Sequence, residues 1–67
     1  MTITLNNRSE SFDFEQLTIS EILKIKKFTF KALVIKINRE LIRKNQYDTA
    51  VVKNGDNVDI IHLISGG

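Results

Sequence analysis

Chemistry at neutral pH calls for a nucleophile, an acid–base pair or a set of metal ligands, and this sequence is poor in all three. It has no cysteine and one histidine, His62, with no acidic or serine partner at a recognisable spacing. A lone imidazole makes a poor general base and cannot close a zinc site by itself, so His62 reads as structural. Tyr47 reads as a lid on the core with its hydroxyl at the surface. The remaining reactive group is the carboxylate that follows His62-Leu63-Ile64-Ser65-Gly66-Gly67. With an intrinsic pKa of about 3.5 it is ionised at neutral pH. Two residues without Cβ let it thread a narrow slot, because glycine tolerates most backbone angles. Two terminal glycines arise by chance in roughly one chain in two hundred, at about 7% glycine in average composition. The elements that precede them decide what they are worth.

Those elements belong to one small domain of 67 residues, 42% hydrophobic, with a net charge of +2. A chain this short buries only about 60% of its unfolded surface, so its core must be well packed. Absence of cysteine excludes a disulfide framework and a thiolate metal site. No apolar run approaches the length of about 20 residues that spans a bilayer, and Met1-Thr2-Ile3-Thr4 has no basic n-region or apolar h-region. These features lead us to expect a cytoplasmic protein without membrane contact. Lys24, Lys26, Lys27, Lys31 and Lys36 form a basic run with no acid among them. Base-stacking aromatics are not interleaved with it, which argues against nucleic acid and for a solvated helix end.

Ile3 and Leu5 alternate with polar residues, as do Phe12 and Phe14, around Asn6-Asn7-Arg8-Ser9. This reads as a hairpin whose asparagines accept positive φ, with Ile3, Leu5, Phe12 and Phe14 on one face. The period then changes. Thr18-Ile19-Ser20-Glu21 is a capping box, with Leu17 and Ile22 at the positions of a hydrophobic staple. A helix is expected from Ile19 to Lys26, with Ile22, Leu23 and Ile25 inward and Lys24, Lys26 and Lys27 in water. Ala32 to Asn38 reads as a strand with Leu33, Ile35 and Ile37 inward and Val34 and Lys36 outward. Asn38-Arg39-Glu40 reads as a turn, Leu41-Ile42 as a short strand, and Arg43 to Thr49 as irregular or one helical turn. Asn54-Gly55-Asp56 is a further turn.

The last strand, Val58 to Ile64, is the most informative. A solvated Asp59 points Val58 and Ile60 inward and puts Ile61 and Leu63 on the outer face. Outward apolar residues that lead into the tail, joined by Val34, form a docking surface, unless another element covers them or the strand is buried on both sides. The chain offers no second helix for that cover. One helix on one face of a small mixed sheet is the expected α+β packing.

Several segments together resemble a known family, the sulfur carrier proteins of thiamine biosynthesis (ThiS). They are Thr18-Ile19-Ser20-Glu21-Ile22-Leu23, Ile37-Asn38, Gln46-Tyr47, Asn54-Gly55-Asp56 with Val58, and Gly66-Gly67. They span nearly the whole chain in the family's order. There are departures. Ile42-Arg43-Lys44 stands where a Val-Pro-Arg element is common, Tyr47 where tryptophan is frequent, and the Asn6-Asn7 turn has no glycine. The resemblance implies a β-grasp, ubiquitin-like roll over residues 1–67, with the first and last strands adjacent at the centre and a flexible tail at about 65–67.

It also implies a role. The Gly67 carboxylate is adenylated by a ThiF-like adenylyltransferase that holds ATP and magnesium, then becomes a thiocarboxylate with sulfur from a cysteine desulfurase or other persulfide donor. Thiazole synthase consumes that sulfur. The chain itself binds no cofactor and no metal; Ser65 and Gly66 complete its tail, and Val34, Ile61 and Leu63 form its docking face. The chemistry is coherent, since a carboxylate is a poor electrophile and a mixed anhydride supplies the leaving group. Alternatives are the small subunit of molybdopterin synthase, a ubiquitin-like modifier joined to lysines, and an interaction module whose glycines carry no chemistry.

Overall fold

The computed structural model describes residues 1–28 and 33–63. In chain order these form β1 (Thr2–Leu5), β2 (Arg8–Ser11), β3 (Gln16–Thr18), α1 (Ile19–Ile25), β4 (Leu33–Ile37), β5 (Glu40–Ile42), a 3-10 turn (Lys44–Gln46), β6 (Val51–Lys53) and β7 (Asn57–His62). A five-stranded sheet has the order β2-β1-β7-β4-β5, and β3 pairs with β6 in a second, two-stranded sheet. β1 runs parallel to β7 in the middle of the larger sheet, and the other three pairings, β1–β2, β4–β7 and β4–β5, are antiparallel. This is the expected α+β β-grasp roll, with the earliest and latest strands side by side.

Turn chemistry sets the register. Asn6 and Asn7 both take positive φ, 51° and 67°, which gives a two-residue turn whose twist suits a hairpin. Leu5 is thereby fixed opposite Arg8, and Thr2 opposite Ser11. β2 ends at Ser11, but Phe12 still exchanges both backbone hydrogen bonds with Met1, its amide donating at 2.8 Å and its carbonyl accepting from the Met1 amine at 2.7 Å, and it packs half-buried against the core as expected. Phe14 is 54% exposed, which corrects its expected place on the inner face. Asn38 and Arg39 repeat the positive-φ turn at 50° and 71° and fix Lys36 opposite Leu41. Gly55, at φ 87°, serves the Asn54-Gly55-Asp56 turn; a side chain at that angle would be strained.

The helix begins where the capping box predicts. The Glu21 amide donates to Thr18 Oγ1 at 3.2 Å, and the Thr18 amide donates to Glu21 Oε1 at 2.9 Å. The staple residues Leu17 and Ile22 are both buried. The inward stripe is Ile19, Ile22 and Leu23, with Lys26 next in the 3.6-residue period. Ile25 therefore falls on the far side and is 46% exposed, a correction to its expected place. Lys26 likewise does not simply face water: it is half-buried, and its Nζ lies 3.0 Å from Glu10 on β2. The helix stops in a Schellman arrangement. The Phe28 amide donates to the Leu23 carbonyl at 2.8 Å and the Lys27 amide to the Lys24 carbonyl at 3.2 Å. Lys27 carries the left-handed φ of 58° that usually falls to glycine.

Ile3, Leu5, Ile35, Val58 and Ile60 from the large sheet meet Ile19 and Ile22 of α1 and Leu17, Ile42 and Val52 around them; all ten are buried. β3 and β6 have no counterpart in the sequence reading. They pair antiparallel with Leu17 opposite Val52, and both of these residues are buried in the core. Tyr47 packs half-buried against this core, and its carbonyl accepts from the Ser20 amide at 2.9 Å.

Candidate functional site

β7 connects the core to the C-terminal residues, so its geometry sets the site. Strand pleating sends alternate side chains to opposite faces. Val58 and Ile60 point inward and are 0% and 6% exposed, whereas Ile61 and Leu63 on the other phase are 51% and 49% exposed. Pairing with β4 puts Val34 opposite Ile61 and Lys36 opposite Asp59. Val34 is half-buried and Lys36 exposed. The structure thus brings Val34 and Ile61 together on the outer face, with Leu63 next in the same phase. Ser65, Gly66 and Gly67 lie outside the described residues.

The sequence reading missed one member of this face. Leu41 is 53% exposed and stands opposite Lys36 on β5, so it faces the same way as Val34 and Ile61. The signal was present: a two-residue turn at Asn38-Arg39 pairs Ile37 with Glu40 and forces Leu41 outward. The rest of the outer face differs in kind. β1 and β2 contribute Thr2, Thr4, Ser9 and Ser11, all exposed, with the Thr2 and Ser11 hydroxyls 3.0 Å apart. The outer face therefore carries Val34, Leu41, Ile61 and Leu63 over β7, β4 and β5, with the charged pair Lys36 and Asp59 among them, and hydroxyls over β1 and β2. Helix α1 covers the opposite face.

Side-chain amides pin β7 at two places. At its start, the Asn57 amide donates to Asn38 Oδ1 at 2.9 Å, and Asn38 Nδ2 donates to Asp56 Oδ1 at 3.1 Å. Further along, the Ile60 amide donates to Asn6 Oδ1 at 2.8 Å, and Asn6 Nδ2 donates to the Ile60 carbonyl at 3.1 Å. His62 falls on the inward phase opposite Leu33. It is exposed at the sheet's rim and lines a cavity of about 150 Å³ with Asn6, Phe28, Leu33 and Ile60. Among the described residues there is no group of three or more His, Cys, Asp or Glu side chains suited to a metal ion. No described helix is long and apolar enough to cross a membrane.

No curated protein matches the chain. Among solved structures it is similar to the thiamine biosynthesis protein ThiS from Geobacter metallireducens, at TM-score 0.86 and 28% identity over 100% of both chains. It is also similar to the solution structure of a thiamine biosynthesis protein from the same organism, at TM-score 0.80 and 28% identity, covering 100% of this chain and 88% of that one. The model of the ThiS family matches residues 2–67, from β1 through both terminal glycines, and the chain belongs to that family.

Proposed function

We propose that this chain is a sulfur carrier whose Gly67 carboxylate is the working group. A ThiF-like adenylyltransferase supplies ATP and magnesium. The carboxylate oxygen attacks the α-phosphate, pyrophosphate leaves, and the product is an acyl-adenylate. A persulfide, charged by a cysteine desulfurase, then attacks the activated carbonyl and displaces AMP. Cleavage of the resulting S–S bond by a thiol leaves a thiocarboxylate, which thiazole synthase consumes as its sulfur source. The chain is a co-substrate of these enzymes rather than a catalyst.

The observation that carries this reading is the family match through Gly66-Gly67. The outer face agrees with it: Leu41, Ile61 and Leu63, beside the half-buried Val34, offer exposed apolar surface along the strand that leads to the tail, and such surface marks interaction sites. The thiamine role takes its support from the roles named for the similar Geobacter proteins. Deleting Gly67 should abolish ATP–pyrophosphate exchange by the adenylyltransferase and leave the fold unchanged by circular dichroism. Undiminished exchange would refute the assignment. Intact mass after incubation with ATP, the adenylyltransferase and a persulfide source should show one oxygen replaced by sulfur, and capture of thiazole synthase rather than molybdopterin synthase identifies the acceptor.

A further inference from the structure

We propose that Asn6 is a positioning residue for the C-terminal segment: its carboxamide acts as a surrogate strand rung that sets where β7 stops being held from both sides. The argument starts from the parallel β1–β7 ladder. Thr4 and Asn6 donate their amides to the Asp56 and Val58 carbonyls, each at 2.9 Å. A continuing parallel strand would place its next peptide group beside Ile60. The chain cannot supply it, because Asn6 and Asn7 turn away at positive φ into β2. A carboxamide carries the same donor and acceptor as a peptide group. Asn6 uses both on Ile60, accepting from its amide at 2.8 Å and donating to its carbonyl at 3.1 Å. Beyond Ile60, the pairing of Ile61 and His62 within the sheet is with β4. Asn6 therefore joins two tasks in one residue, turning the first hairpin and holding the last strand at the root of the tail. This inference rests on the carrier reading for its consequence, since a partner that acts on Gly67 must meet a tail leaving from a fixed point.

Two substitutions in the same turn separate positioning from simple turn stability. Glycine accepts φ near 51° or 67° without strain, so Asn6→Gly and Asn7→Gly both preserve the turn, but only the first removes the carboxamide bonded to Ile60. In Asn6→Gly, amide hydrogen exchange should lose protection at Ile60 by roughly tenfold, with Ile35 and Val52 unchanged. Strand ends already lie at the low-stability end of a structure, so the released form becomes a major population. The KM for the carrier in ATP–pyrophosphate exchange should then rise about threefold or more at constant kcat. Asn7→Gly should change neither. Equal protection at Ile60 in the two variants overturns the proposal, as does a loss spread evenly over Ile35, Val52 and Ile60, or an unchanged KM in Asn6→Gly. If the unsubstituted chain supports no exchange at all, the carrier reading falls, and the hydrogen-exchange pattern still decides whether Asn6 is the clamp.

Discussion

The two faces of the five-stranded sheet use the same kinds of residue for different ends. On the inner face, Ile35, Val58 and Ile60 are covered by α1 and the small sheet and are almost inaccessible. On the outer face, Val34 and Ile61 sit on the same strands, one residue out of phase, with Leu41 on the neighbouring β5, and Leu41 and Ile61 stay about half exposed. Burial rather than residue type separates stabilising apolar groups from those available to a partner. An isoleucine contributes to folding only to the extent that folding takes it out of water. The chain therefore gains less stability from Leu41, Ile61 and Leu63 than from the covered isoleucines.

Substitutions on the two faces should consequently give opposite profiles. The largest effect is expected inside. Ile35→Ala should lower unfolding free energy by about 2–4 kcal/mol, measured by urea denaturation, because it leaves a cavity at a fully covered position. Next, Ile61→Asp or Leu63→Asp should weaken adenylyltransferase binding by about 2 kcal/mol, read by calorimetry, with a smaller loss of thermal stability. The reverse ranking would make this face part of the core. Leu41→Asp should follow the same pattern at about 1 kcal/mol if β5 belongs to the docking half; binding equal to that of the parent chain would confine the surface to β4 and β7. Smallest of all, Thr4→Ala on the hydroxyl half should leave both stability and affinity within about 0.5 kcal/mol. A clear loss of affinity there would extend the interface across the whole sheet and break the division drawn above.

Much of this arrangement was legible in the sequence, and the misses have physical causes. The capping box at Thr18–Glu21 and the paired positive-φ residues at Asn6-Asn7 are local, so their residue types alone specify them. The inward and outward phases of β4 and β7 followed from Lys36 and Asp59, each a charge that must reach water. β3 and β6 were missed because three-residue strands are too short to show a period, and their pairing, Leu17 with Val52, is long-range. Phe14 and Ile25 were misassigned for a related reason. An aromatic or isoleucine at the right spacing is buried only if a neighbour reaches it, and β1 ends before Phe14 while the helix turns Ile25 away. Val34, Ile61 and Leu63 were placed on the outer face through strand phase, as the structure has them. Leu41 was missed because Leu41-Ile42 holds two apolar residues and no charge to orient them. Gly66 and Gly67 were singled out from their residue types alone, and they lie outside the described residues.

The parallel pairing at the centre of the sheet also constrains how the protein comes into being. Asn6 and Ile60, which bond to each other, are 54 residues apart in the sequence, and contacts of such separation form late because a long loop must close first. During vectorial synthesis β1 waits with its inner edge unpaired until β7 has left the ribosome. Nascent chains interrupted before Asn57 lack the strand that divides the β1–β2 hairpin from the β4–β5 hairpin, and they expose both to aggregation. The strand that joins the two hairpins is thus also the one whose synthesis completes the five-stranded sheet.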